Sequence, residues 1–150
     1  MAFLLGVISM TGPSHAQSED LSEYLWTNRP LAVFAPSRSD PVAGEQIRIL
    51  SGTRACMRAR DMVVVEVIGS DVMIEGAPSM ALKAATLRQR YGIEDNKTAV
   101  LLIGKDGGVK MRRASAIPLQ DLFETIDKMP MRMREARLQM ESGRESAPDC

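Results

Sequence analysis

Three short, nearly unbroken apolar runs, residues 31–35, 62–68 and 98–103, constrain this chain more than any other feature. Runs of that length, rich in β-branched side chains, suit strands buried on both faces of a sheet. The segments between them carry helical signals. Asp40-Pro41 places a capping carboxylate before a proline at the first helical position. The helix it opens is predicted to run to about Arg60, with Val42, Ile47, Ile49, Leu50 and Met57 on its buried side and Gly44 and Gly52 weakening it. Gly69-Ser70-Asp71 ends the second run. Ser79 can cap a further helix, in which Met80, Ala84, Leu87 and Tyr91 form a stripe that Gly92 closes.

The third run is followed by Gly104-Lys105-Asp106-Gly107-Gly108, a tight-hairpin signature, so a fourth strand over 109–113 is predicted to return antiparallel. Pro118 begins a last core helix with Leu119, Leu122, Phe123, Ile126 and Met129 on one face, and Pro130 stops it. The predicted order is β-α-β-α-β-β-α: an α/β domain with a central four-stranded mixed sheet flanked by helices. Its parallel first crossover and closing hairpin make it thioredoxin-like.

The termini read differently. Residues 3–10 are apolar and uncharged but too short to span a bilayer, and Gly12-Pro13 breaks them before Ser14-His15-Ala16. Residues 1–16 therefore read as a signal peptide, although no Lys or Arg precedes the apolar run, and 17–22 as a polar leader. The domain follows over 23–130, then a charged tail over 131–150; Met129, Met131, Met133 and Met140 either pack the final helix back onto the sheet, the favoured reading, or offer an adaptable contact surface. A periplasmic or secreted protein with no membrane insertion after processing is the expectation.

Charge and histidine content exclude whole classes of function. Nineteen basic residues balance nineteen acidic ones, so no global field favours nucleic acid. His15 is the sole histidine and would leave with the signal, removing Ser-His and Cys-His pairs and histidine-bearing zinc sites. No cofactor or metal is expected.

Residues 23–137 resemble the domain-of-unknown-function family of exported bacterial proteins, the prokaryotic branch of the DUDES group. Its relatives include domains of vertebrate extracellular proteins. Three stretches carry the resemblance: Tyr24-Leu25-Trp26 with Arg29-Pro30-Leu31 and Phe34-Ala35-Pro36; the Gly104 to Lys110 turn with Arg112; and Pro118-Leu119, Leu122-Phe123, Ile126-Asp127 and Met129-Pro130-Met131-Arg132. The resemblance implies a thioredoxin-like, peroxiredoxin-like domain without an established activity. Redox members of that fold place a cysteine just after the first strand, at the start of the first helix, where the helix end lowers its pKa. When the peroxiredoxin pattern is laid on Pro36, Asp40 falls at its threonine and Ala43 at its cysteine.

Three candidate sites remain. Ser37, Arg38, Ser39 and Asp40 face a helix N-terminus, where capping competes with anion binding. Lys105, Lys110 and Arg112 sit on the hairpin, where charge guards a sheet edge or meets a partner. Cys56, between Arg54 and Arg58, is a core residue or an atypical redox thiol, and no essential disulfide with Cys150 is expected. Asp127 and Glu135 are expected to make local pairs of little worth. The expectation is a non-catalytic module that binds a protein or envelope component, with a thiol oxidoreductase or peroxide-reducing enzyme using Cys56 as the alternative.

Overall fold

The computed structural model describes residues 19–143; the signal-peptide reading, His15 and Cys150 lie outside them. A short 3-10 helix, Leu21–Tyr24, capped by the Asp20 side chain on the Ser22 amide, leads into β1, Arg29–Ala35. Then follow α1 (Pro41–Leu50), α2 (Arg54–Arg58) and β2 (Met62–Ile68). The middle of the chain forms β3 (Asp71–Ile74), β4 (Ala77–Pro78), α3 (Ala84–Tyr91), β5 (Ala99–Ile103) and β6 (Val109–Arg113). Two helices close it, α4 (Leu119–Asp127) and α5 (Pro130–Glu141).

The sheet is mixed, with order β4-β3-β2-β1-β5-β6. β1 runs parallel to β2 and antiparallel to β5, and β6 is the outer strand beyond β5. The α/β class, the parallel first crossover and the closing hairpin are as predicted. The strand count is not: the described residues form six strands, because Gly69 does not end the sheet but turns it, at φ 58°, into a β3–β4 hairpin on the free side of β2. Only Val72 of that hairpin is fully buried, so it lacks the apolar run that marks β1, β2 and β5.

The period-two alternation of the strands divides the core. Leu31, Val33, Val64, Ile68, Val100 and Leu102 face α1, α2 and α4. Ala32, Phe34, Val65, Val67, Leu101 and Ile103 face α3 and the leading 3-10 helix. The buried Gln46 side chain ties the first layer together, donating to the Ile117 carbonyl at 3.3 Å and accepting from its amide at 2.7 Å.

Two helix predictions need correction. The first helix breaks after Leu50, where Gly52 takes φ 80°, and resumes as the single turn α2; Ile47 is exposed rather than core. α3 begins at Ala84, so Met80 is exposed and Ser79 instead accepts from the Leu82 amide in the preceding turn. Pro130 both follows α4 and opens α5, so the stretch set apart as a charged tail begins with an ordered helix.

Leu122, fully buried where α4 meets the sheet, is expected to lose about 2–5 kcal/mol of stability on Leu122→Ala, read by urea denaturation.

Candidate functional site

At the carboxyl end of β1, where a redox thioredoxin-like protein would hold its sulfur, every polar group has local work. Asp40 accepts from the Val42 and Ala43 amides at 3.0 Å each and from the Thr98 hydroxyl at 2.6 Å. Burial works against its charge, but the Thr98 bond and the two amides outweigh it and hold the carboxyl below the ordinary aspartate range. Ser37 and Ser39 bond to each other through their hydroxyls, and Arg38 pairs on the surface with Asp71 at 3.1 Å. The strand's last carbonyl, at Ala35, accepts from the buried Arg88 guanidinium and from the Gly69 amide.

Cys56 is half-buried in α2 against the first core layer. Its sulfur is engaged in a disulfide, in place of the unbonded core thiol expected, and no free cysteine occurs among the described residues.

The opposite end of the sheet holds the dense polar construction. Arg29 heads β1 with 1% of its surface exposed. Its Nη1 and Nη2 donate to Glu135 Oε2 and Oε1 at 3.1 and 3.2 Å, and Nη1 also donates to the Arg60 carbonyl. Lys105 is buried too, not displayed on the hairpin; its Nζ lies 2.7 Å from both Glu135 Oε1 and Asp61 Oδ2. Burial raises Glu135, but the bonds from Arg29 and then Lys105 overcome it and leave the carboxyl below its ordinary value of 4.5. Glu135 therefore pairs across the fold rather than with a neighbouring arginine, as sequence proximity suggested. Beside it, Arg60 grips Asp127 through Nε and Nη2, stacks over Phe123 at 4.0 Å, and shares Asp127 with Arg132.

Two of the three described non-glycine residues with left-handed φ lie at this end, the third, Glu75 at 52°, standing in the turn between β3 and β4. Trp26 and Asp61 both adopt left-handed φ, 64° and 50°. Such a conformation costs of order 1–3 kcal/mol per residue, least for Asp. The Trp26 amide donates to the Lys105 carbonyl at 2.6 Å and the Arg29 amide to the Asp61 carbonyl at 2.7 Å. Trp26 has 65% of its surface exposed.

A cavity of about 380 Å³ opens beside this network, lined by Arg29, Lys105, Lys110 and Lys128, by Asp106, and by Met129, Pro130 and Met131. Lys110 pairs with Asp106 at 2.7 Å, and Arg112 donates to the Tyr91 carbonyl. Of the three predicted hairpin cations, Lys105 and Lys110 meet at this cavity, Lys105 as part of the buried network, while Arg112 is drawn away to the end of α3. Arg29, Asp61 and Glu135 escape sequence reasoning because each reads as an ordinary surface charge. The one available signal is that all three stretches carrying the family resemblance meet here.

A second cavity, of about 300 Å³, lies between α1, α2 and β2 and holds Glu66 and Glu75. Burial raises Glu66 above the ordinary glutamate range, partly offset by Arg38, and Glu75 accepts from the Val64 amide at 2.6 Å. No group of three or more metal-ligating side chains occurs among the described residues, and no helix there is long and apolar enough to cross a membrane.

The segment from Asp20 to Glu135, nearly all of the architecture above, matches a family model described as a domain of unknown function, DUF4174. The chain belongs to this DUF4174 family. It is also 25% identical over 140 residues to coiled-coil domain-containing protein 80 of Danio rerio, a match covering 82% of this chain and 16% of that protein. The chain thus spans about one-sixth of that relative's length. No solved structure matches the chain.

The depressed carboxyl of Glu135 makes the network acid-sensitive. Its stabilisation is complete above the ordinary value of 4.5 and is lost as pH falls through the lower folded-state value. Thermal melts from pH 7 to pH 3 should show a steeper loss below pH 4.5 in the natural chain than in Glu135→Gln, which has no carboxylate there to protonate.

Proposed function

We propose that this DUF4174 protein is an exported, redox-inactive, thioredoxin-like module that binds a protein or envelope component rather than turning over a thiol substrate. The observation that carries the reading is the carboxyl end of β1: Ser37 to Asp40 stand where the reactive sulfur belongs, and Asp40 spends its carboxylate on two helix amides and Thr98. A helix N-terminus whose donors are already capped neither activates a nucleophile nor receives an anion. Cys56 lies far along the first crossover, in a helix of one turn, and its sulfur is held in a disulfide rather than presented as a thiol.

The opposite end supports the binding part of the proposal. An exposed tryptophan, two strained residues and a buried charge cluster beside an open cavity are features of recognition surfaces, where strain and buried charge persist because the surroundings fix them. Export rests on the apolar stretch of residues 3–10 and the small residues before Gln17.

The test is chemical. The purified chain and its Cys56→Ser variant should show equal, background-level consumption of peroxide and reduction of a disulfide substrate. Turnover that depends on Cys56 would end the redox-inactive reading.

A further inference from the structure

We infer that the cavity beside Arg29 is a carboxylate-binding site whose anchoring guanidinium the chain occupies with its own Glu135, and that its ligand is a carboxylate carried on an apolar body. The inference rests on the binding-module reading and names the chemistry of what is bound. Arginine recognises a carboxylate through a planar fork of parallel N–H donors, and Arg29 holds Glu135 in that way while Lys105 reaches the same Oε1. A fork so placed, against the wall of an open cavity, is a recognition element already assembled.

The element supplying Glu135 is weakly anchored by apolar contact. The sole fully buried side chain of α5 is Arg132, itself charged, while Met133, Leu138 and Met140 are exposed. The helix is held instead by Glu135 on Arg29 and Lys105 and by Arg132 on Asp127. Polar tethers of this kind can be exchanged for equivalent ones, whereas apolar burial cannot. Glu135 also leaves the guanidinium incompletely used: Arg29 Nε is buried with no hydrogen-bond partner. An external carboxylate taking Nε together with a terminal nitrogen, once α5 has moved aside, would satisfy a donor that Glu135 does not.

The rest of the cavity defines the ligand. Four cations and one carboxylate line it, and its rim cations Lys110 and Lys128 are held only by i,i+4 surface pairs with Asp106 and Glu124, which exchange readily. Met129, Pro130 and Met131 provide an apolar wall. About 380 Å³ falls near the lower end of the range for small-ligand pockets, roughly 300–1,000 Å³. A branched aliphatic acid or a peptide ending in an aliphatic residue fits this description.

The full chain and Glu135→Gln are titrated with 4-methylpentanoate, its methyl ester and inorganic phosphate, followed by calorimetry and by the Arg29 Nε–Hε resonance. Glu135→Gln should bind the acid saturably and shift that resonance, with the natural chain weaker by about tenfold or more because its own carboxylate competes. The ester should not bind. Lys105→Met in the Glu135→Gln background should weaken the acid, and a folded, inert double variant confirms the cation's part. Equal affinity in the two chains, binding of the ester, tighter binding of phosphate than of the acid, or no binding to a folded Glu135→Gln would each overturn the assignment. An acetylated tetrapeptide ending in leucine, compared with its amide, separates the two sources. A peptide acid that binds more tightly than 4-methylpentanoate marks a polypeptide ligand, and the reverse marks a small acid. Failure here leaves the absence of thiol turnover standing, so the two readings fall separately.

Discussion

A guanidinium sealed at the head of the central strand must have an anion, and the need to neutralise Arg29 organises this end of the molecule. An isolated buried charge costs many kcal/mol and persists only when paired and hydrogen-bonded. Glu135 answers it from α5, Lys105 bridges Glu135 to Asp61, and Asp61 brings in the turn before β2. Four segments distant in sequence are thereby registered against one another: the head of β1, the turn before β2, the hairpin turn after β5, and the last helix. The left-handed backbone at Trp26 and Asp61 is retained in the same place because bonds to Lys105 and from Arg29 hold it.

The two ends of the sheet have opposite characters. At the carboxyl end of β1, polar groups are consumed in capping: Asp40 on its helix, Arg88 on the Ala35 carbonyl, the two serines on each other. At the amino end, charge is concentrated, partly unsatisfied and open to a cavity. The core constrains packing and leaves sites to the loops, so the two ends of one sheet can differ this far in polar character.

Much of the fold was legible because apolar runs and periodic stripes report burial directly. β1, β2 and β5 stand where their runs stand, the Asp-Gly turn leads into β6, and Leu122, Phe123 and Ile126 of α4 are buried as their spacing requires. The β3–β4 hairpin was hidden because an edge hairpin with one buried residue has no apolar run to announce it. The break before α2 was hidden because Gly52 weakens a helix without dictating where it stops. The Arg29 network was hidden for a different reason. An arginine before a proline and a glutamate among arginines look solvated in sequence, and no local pattern pairs residues 106 positions apart.

What the amino-acid order determined by itself was the class, the places of β1, β2, β5 and β6, the buried stripe of α4 and the lack of a cysteine at the start of the first helix. Those properties follow from side-chain period, turn chemistry and residue identity, all of which act over a few positions of chain. What only the tertiary structure decided was which charges are buried, which meet, and where a cavity opens beside them. Electrostatic neutralisation is a property of distance in space, and Arg29, Asp61, Lys105 and Glu135 become neighbours only when the sheet has closed around them.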